Sequence, residues 1–380
     1  MVYQIIIAAG LVFFLGNIIL NFRALKRPRK NAVVPSPAPL ISVLVPARNE
    51  EANIRQCLES LQKQDYPNFE VLVLDDGSTD STAEIVAGMA AGDRRIRLFK
   101  GDPLPGDWMG KSYACHQLAK KAAGSWLLFV DADTTHAPRM LRGVLELALK
   151  NKVTLLSGFP RQLAGSLPLA IIMPVQYYII LGWLPIWLLL KFGKPSLAIG
   201  QFMFFNADEY RRIGGHEAVK SNIVEDVYMG IEVGKRHGRH IAIDLSPVVS
   251  TNMYVDVGDA WQGFGKSIQA IVAMNPVAMF GLIAAAIIFY LMPFWWLWRG
   301  FFAGSAPLMW RDIVLFQIAV MFVMHLLVDI RFREPLIAVL FYPLGLLFYV
   351  LNVCYSALRW AMGVGISWKE RVYGGESAVK

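Results

Sequence analysis

At 380 residues the chain is long enough for about two or three domains, yet 55% of it is hydrophobic and its mean hydropathy is +0.43, which excludes a wholly soluble protein. The formal net charge of +8 suits contact with anionic lipid headgroups, while the lack of a basic stripe interleaved with aromatics outside the membrane flanks argues against a nucleic-acid partner. Cys57, Cys115 and Cys354 are odd in number and widely spaced, so they form neither a disulfide framework nor a metal knuckle and imply a reducing, cytoplasmic face.

Val2 to Phe22 is apolar and matches the ~20 residues needed to cross a bilayer. Arg23, Lys26, Arg27, Arg29 and Lys30 follow, which orients the next segment to the cytoplasm. A signal peptide fits less well, because the charges come after the apolar run and no small-residue cleavage site is evident. Pro35, Pro37 and Pro39 mark a stiff linker. From Ile41 the chain alternates β-rich runs with helical periods. Ile41 to Val45 is a strand, Ile54, Leu58 and Leu61 share a helical face, and Phe69 to Leu74 is a second strand. The capping pair Ser81 and Glu84 opens a helix, Ile96 to Phe99 is a short strand, a helix runs from Lys111, and Trp126 to Val130 is a strand. This βαβ succession predicts an α/β fold, with a mainly parallel sheet covered by helices on both faces.

Leu167 to Leu190 is apolar but carries Pro168, Pro174, Gly182 and Pro185. A full crossing would separate motifs that share one site, so a bent helix in the membrane interface, or over an acceptor cleft, is expected. Ile268 to Trp298, Ile313 to Ile330 and Pro335 to Leu358 read as a membrane-spanning bundle. Arg331 and Arg333 suit a cytoplasmic turn, which would put Lys369, Arg371 and Lys380 outside, against the positive-inside tendency; the helix count stays open by one. The expected organisation is an N-terminal membrane helix and basic flank over 1–30, a cytoplasmic domain over 31–266 with an interfacial segment at 167–190, and a membrane bundle over 267–380 with a short tail.

Chemistry is expected in the loops at the carboxyl ends of the strands. The first loop holds Pro46, Arg48 and Glu50; the second holds Asp75 and Asp76; the third holds Asp131 and Asp133. A carboxylate pair one residue apart is as much a turn as a divalent-cation site, about evenly. Three such loops on one sheet edge favour a nucleotide: a carboxylate accepts from a base imide, and a metal or helix N-terminus suits phosphate.

The assembly resembles the nucleotide-sugar domain of family 2 glycosyltransferases with the GT-A fold. The likeness runs from about Ile41 to Lys266 and rests on Val45 to Glu51, Leu74 to Asp80, Asp131 to Asp133, and Val224 to Asp226. Within that family it is most similar to enzymes that glycosylate membrane lipids, such as ceramide glucosyltransferases and bacterial transferases acting on carotenoid acids and hopanoids. Pro105 to Lys111, Gly200 to Asn206 and Gly214 to His216 carry that closer likeness. The resemblance implies that Asp75 and Asp76 contact the nucleoside of a donor such as a UDP-sugar, within a site that includes Pro46, Arg48, Glu50, Lys111, Asp131 and Gln201. It implies that Asp133, with Asp131, holds Mg2+ or Mn2+ on the diphosphate. Lys111 suits a point charge on phosphate, since a cation opening a helix is otherwise slightly unfavourable. Asp226, beside Glu225, is implied as the general base of an inverting reaction; an unperturbed Asp, with a pKa of ~4, needs burial or a like charge to serve as one.

Beyond this point the likeness thins. Trp261 to Lys266 stands where processive members carry a Gln or Arg, two residues, then Arg-Trp; Gln262 and Lys266 match only partly, which argues against polymer synthesis. Trp108 and His216 are expected near the acceptor or the interface, although a lone loop histidine is more often a structural hydrogen-bonder. The expected activity is metal-dependent transfer of one sugar to a membrane lipid by a multi-pass membrane protein. Its rivals are a polyprenyl-phosphate transferase, whose ionised acceptor needs no base, and a non-catalytic sensor or scaffold, which would have no use for Asp131 and Asp133.

Overall fold

The computed structural model describes residues 2–193, 198–302, 308–364, 366–368 and 371–373. The chain forms two compact units, one of Ala24–Arg161 and Ile186–Met253, the other of Met1–Arg23, Gln162–Pro185 and Tyr254–Lys380. Helix α1 (Val2–Ala24) opens the chain within the second, helical unit.

The α/β unit begins with β1 (Ile41–Ala47), α2 (Ile54–Gln62), β2 (Phe69–Asp75), α3 (Thr82–Gly92), β3 (Ile96–Lys100), α4 (Gly110–Lys121) and β4 (Trp126–Val130). Short β5 (Thr134–His136), α5 (Met140–Asn151), β6 (Leu155–Phe159) and two-residue β7 (Arg161–Gln162) follow. After α6 (Leu167–Trp183) come α7 (Ile186–Lys191), β8 (Phe202–Asn206), α8 (Ala207–Arg212), a 3-10 turn at Gly215–Val219, α9 (Glu225–Lys235), β9 (His240–Asp244) and β10 (Val249–Thr251). The main sheet has the order β3-β2-β1-β4-β8-β6-β9. β1 pairs in parallel with β2 and β4, β2 with β3, and β6 with β9, whereas β8 runs antiparallel to both its neighbours.

Period-two alternation sends successive side chains to opposite faces, and both faces are covered. Val43 and Val45 of β1, Val71 and Val73 of β2, and Leu128 and Val130 of β4 pack with Ile54, Leu58 and Leu61 of α2 and Leu141, Val144 and Leu145 of α5. On the other face Leu44, Leu72, Leu127 and Phe129 pack with Ala114, Cys115 and Leu118 of α4 and with Met229 and Val233 of α9. Each such fully buried aliphatic side chain contributes ~1.5–3 kcal/mol, which fixes α4 and α9 on the sheet and, with them, the residues at their N-termini. One local expectation fails. Ser81 stands at the start of α3 but makes no side-chain cap; Asp80 supplies it, its Oδ1 accepting from Thr82 N at 3.0 Å.

The helical unit continues through α10 (Val257–Met274), α11 (Pro276–Ala286), a π-helical turn at Ile287–Leu291, α12 (Met292–Phe302), α13 (Leu308–Phe332) and α14 (Ile337–Ala361). Among the described residues four helical stretches are long and apolar enough to cross a membrane: Val2–Ala24, Met279–Gly300, Trp310–Phe332 and Ile337–Ala361. The apolar segment Ile268 to Trp298, expected as part of the membrane bundle, is divided at Asn275, because Pro276 lacks the N–H that would continue α10 and instead opens α11.

Helix α6 groups with this unit rather than with the sheet, a difference from the sequence expectation. The helix stops at Trp183, two residues before Pro185. Pro185 leaves the Leu181 carbonyl without its helical partner. Asn17 and Asn21 of α1 replace it: Asn21 Nδ2 donates to Leu181 O at 2.8 Å and Leu184 O at 2.9 Å, and Asn17 Nδ2 to Leu181 O at 3.1 Å and Gly182 O at 3.0 Å. Both asparagines are buried, so α6 is a packed member of the helical unit.

Candidate active site

The loops after β1 and β2 are laced into one surface. Arg48 Nη1 donates to the Asp76 and Gly77 carbonyls at 2.6 and 3.3 Å, Asn49 N to Ser78 Oγ at 3.1 Å, Thr79 N to Asn49 Oδ1 at 2.9 Å, and Glu50 N to Thr82 Oγ1 at 2.8 Å. Arg48, expected from the resemblance in the nucleotide site, thus ties the two loops together. Asp75 accepts from Ser78 N through Oδ1 at 3.1 Å, and its backbone accepts from Gly101 N at 2.8 Å. Pro46, Glu50, Asp75 and Asp76 are all half-buried along this edge.

The third loop is equally fixed. Thr134 donates to Asp131 O from its amide at 3.2 Å and its hydroxyl at 2.6 Å, while Asn252 N donates to Asp133 O at 3.0 Å. The antiparallel pairing of β8 with β4 sets Phe202 opposite Val130, which brings Gly200 and Gln201, at the start of β8, beside the end of β4. Gln201 is buried there.

Four ionisable side chains meet at this point. Lys111, in the first turn of α4, has Nζ 2.7 Å from Asp131 Oδ1 and 3.3 Å from Glu225 Oε1. Asp226 accepts from Gly200 N through Oδ2 at 2.7 Å and from Val227 N through Oδ1 at 2.8 Å. A Cβ at position 200 would stand 3.2 Å from Asp226 Oδ2, 3.2 Å from Lys111 Nζ and 3.4 Å from Glu225 Oε1, so only glycine fits against all three without displacing them. Burial disfavours the Lys111 ammonium, but the Asp131 and Glu225 carboxylates more than offset it and hold its pKa well above the ordinary value. Asp226 is pushed up to about 6, first by burial and then by the Glu225 carboxylate, with Lys111 opposing both.

Among the described residues no group of three or more His, Cys, Asp or Glu side chains gathers into a metal cage. Asp131 and Asp133 are hard oxygen donors of the type that, one or two at a time and together with substrate phosphates, hold a divalent ion, although Asp131 Oδ1 is engaged by Lys111 here.

The remaining expected residues separate. Trp108 is half-buried, its ring 4.7 Å from His116 and 5.2 Å from Tyr113. His216 is a correction: it is fully buried, its Nδ1 is 2.7 Å from the Tyr210 hydroxyl, and its ring lies 4.7 Å from Phe129. Burial drives its pKa down to about 3, so it is a neutral core group and not an acceptor contact. Gln262 and Lys266 lie on α10 of the helical unit, Gln262 exposed and Lys266 half-buried. The hydrogen bond of the Gly200 amide to Asp226 was not foreseen from sequence, where Gly200 entered only as the start of the Gly200 to Asn206 motif.

Residues 42–166 match the family model described as glycosyl transferase family 2. Over 259 residues the chain is 27% identical to a 4,4'-diaponeurosporenoate glycosyltransferase of Staphylococcus aureus (strain bovine RF122 / ET3-1), spanning 65% of this chain and 68% of that protein. The protein of the same name from strain USA300 is 26% identical over the same length. Among solved structures, the mannosyltransferase PcManGT from Pyrobaculum calidifontis, in complex with GDP-Man and Mn2+, superposes with a TM-score of 0.54 at 19% identity, covering 95% of this chain and 98% of that one. At that identity the likeness is one of fold.

Proposed function

We propose that the chain, whose residues 42–166 match the family 2 glycosyl transferase model on a fold shared with a GT-A mannosyltransferase, is an enzyme that transfers one hexose from a UDP-linked donor to a hydroxyl or carboxyl group of a membrane lipid, with inversion at the anomeric carbon. The observation that carries this reading is the meeting of Lys111, Asp131, Glu225 and Asp226 around Gly200.

Asp226 is the general base. Two backbone N–H groups fix its oxygens, and a pKa near 6 leaves it ionised at neutral pH yet far more basic than an ordinary aspartate. From a hydroxyl acceptor, or from a carboxyl group that enters the site protonated, it takes the proton as the acceptor oxygen attacks the anomeric carbon and the nucleoside diphosphate departs from the opposite side. Lys111 places a fixed positive charge beside Asp131, where the diphosphate develops negative charge. Asp75 and Asp76 face the nucleoside. Asp133, with Asp131, would hold a magnesium or manganese ion, which when bound would neutralise charge on the leaving diphosphate.

A membrane acceptor is supported by the four membrane-length helices and by relatives that are named 4,4'-diaponeurosporenoate glycosyltransferases. The basic residues after α1 support a catalytic domain on the cytoplasmic face of the cell membrane.

The test is to incubate washed membranes containing the protein with radiolabelled UDP-hexoses and GDP-mannose and then extract the lipids. Label is expected in the organic phase, lost with EDTA and restored by Mg2+ or Mn2+. Label that stays in water with every donor and lipid extract would contradict the reading. Transfer confined to added polyprenyl phosphate would replace it with the phosphate-acceptor alternative.

A further inference from the structure

The basic segment after α1 is seated on the α/β unit. Arg27 Nε lies 2.7 Å from the fully buried Asp244 carboxylate, Lys26 Nζ donates to Asn151 Oδ1 at 2.9 Å, and Lys26 O accepts from Asp244 N at 2.9 Å. Pro28 then crosses α5 at Gly143, where a Cβ would come within 2.8 Å of the proline ring. These contacts engage Lys26 and Arg27 within the fold and leave the next cations exposed.

From Lys30 onward the segment walls a cleft of about 470 Å3, whose opposite side is Arg139 and Arg142. Arg142 is paired with Asp65 at 2.6 Å. Lys30 and Arg139 form no ion pair among the described residues, and Arg139 Nη1 donates to the Lys30 carbonyl at 3.2 Å, which holds the two residues together. The cleft therefore carries two uncompensated positive charges, with Asn31 able to donate a hydrogen bond and Val33, 74% exposed, offering an apolar edge. Paired cations with hydrogen-bond donors select a phosphate, and an apolar edge suits a phosphate attached to a hydrophobic body.

We propose that this cleft binds the phosphate of an anionic lipid headgroup. Lys30 is six residues beyond Ala24, the last residue of a membrane-length helix. At ~3.3–3.6 Å per extended residue, the chain keeps Lys30 within ~20 Å of that helix end, in reach of the headgroup layer. Free phosphate shares the chemistry but neither the apolar edge nor the tether. Headgroup capture at this cleft would hold the α/β unit against the anionic leaflet, whatever reaction the unit performs.

The experiment is lipid titration of the full-length protein in detergent micelles by native mass spectrometry, with phosphatidylglycerol, phosphatidylcholine and inorganic phosphate as probes. Wild-type protein is expected to retain one phosphatidylglycerol more tightly than phosphatidylcholine. With ~5-fold per juxtamembrane charge, Lys30→Gln with Arg139→Gln should weaken phosphatidylglycerol ~30-fold and leave phosphatidylcholine unchanged. Arg29→Gln removes a neighbouring exposed charge outside the cleft and should weaken phosphatidylglycerol less than Lys30→Gln does. Equal binding of the two lipids by wild-type protein, or unchanged phosphatidylglycerol affinity in the double variant, would overturn the site. An Arg29→Gln loss as large as that of Lys30→Gln would reduce it to diffuse charge, and phosphate binding as tightly as phosphatidylglycerol would reassign it to a soluble anion. Both substituted side chains are exposed, and melting curves of each variant verify that the fold is retained.

Discussion

The Gly200 amide donates to Asp226 Oδ2 at 2.7 Å, and Gly200 has no side chain to hold that carboxylate away from Lys111 and Glu225. A methyl group there would press on Asp226, Lys111 and Glu225 at once, each of which would have to give by a few tenths of an ångström. Those shifts are smaller than the ~1 Å misplacement that can cost ~100-fold, so Gly200→Ala is expected to lower kcat by up to ~10-fold. Its melting temperature should change little, because the Cβ meets flexible side-chain ends and no backbone. Steady-state kinetics beside a melting curve checks this; wild-type kcat would show that the packing around Gly200 has no part in turnover.

The pH profile should carry the signature of Asp226. Only the ionised carboxylate accepts a proton, so kcat/KM is expected to fall as pH drops through about 6. Glu225 raises that pKa by its negative charge, so Glu225→Gln should move the acid limb to lower pH. An acid limb unmoved by Glu225→Gln would mean that another group titrates.

Lys111 acts on the same pKa in the opposite sense, favouring the ionised form of Asp226. Lys111→Met removes that cation and leaves Asp131 and Glu225 without their shared partner. The acid limb is then expected above 6, together with weaker donor binding, measured as a higher KM for the nucleotide sugar. Lys111→Arg should restore the limb more than the donor affinity, because a planar guanidinium does not reproduce a compact ammonium.

His216 should behave as a core residue. Its partner is the Tyr210 hydroxyl, and both are buried. His216→Phe leaves that hydroxyl without its imidazole and should destabilise the protein by ~1–3 kcal/mol, with KM for the acceptor unchanged. A changed acceptor KM at unaltered stability would return His216 to the site.

The strands and helices of the α/β unit were legible from periodicity, because alternating apolar residues and amphipathic helices have one way to bury both sheet faces. The Asp75 and Asp131 loops were legible because their position after a strand already implies a shared edge. What adjacent residues cannot encode was missed. The reversal of β8 decides that Gly200 lies beside Asp131, and that is a sheet-level fact. Ser81 resembled a cap because its spacing to Glu84 is right, yet Asp80, one residue earlier, takes Thr82 N. The grouping of α6 with the helical unit depends on Asn17 and Asn21, about 160 residues away, answering carbonyls that Pro185 leaves open.

The most direct measurement is transfer of radiolabelled sugar into extracted lipid by Asp226→Asn beside wild-type protein at pH 7.5. Burial raises the Asp226 pKa from 3.8 to about 6, so its ionisation opposes folding increasingly as pH rises through that range. In the asparagine variant an amide oxygen can still accept from Gly200 N, but the amide NH2 then faces Val227 N, so the lost hydrogen bond offsets the relief of buried charge and the melting temperature should change little. The account expects this folded variant to bind nucleotide sugar normally and to form lipid product at least ~100-fold more slowly, the scale of a lost general base. Wild-type product formation by Asp226→Asn would contradict it.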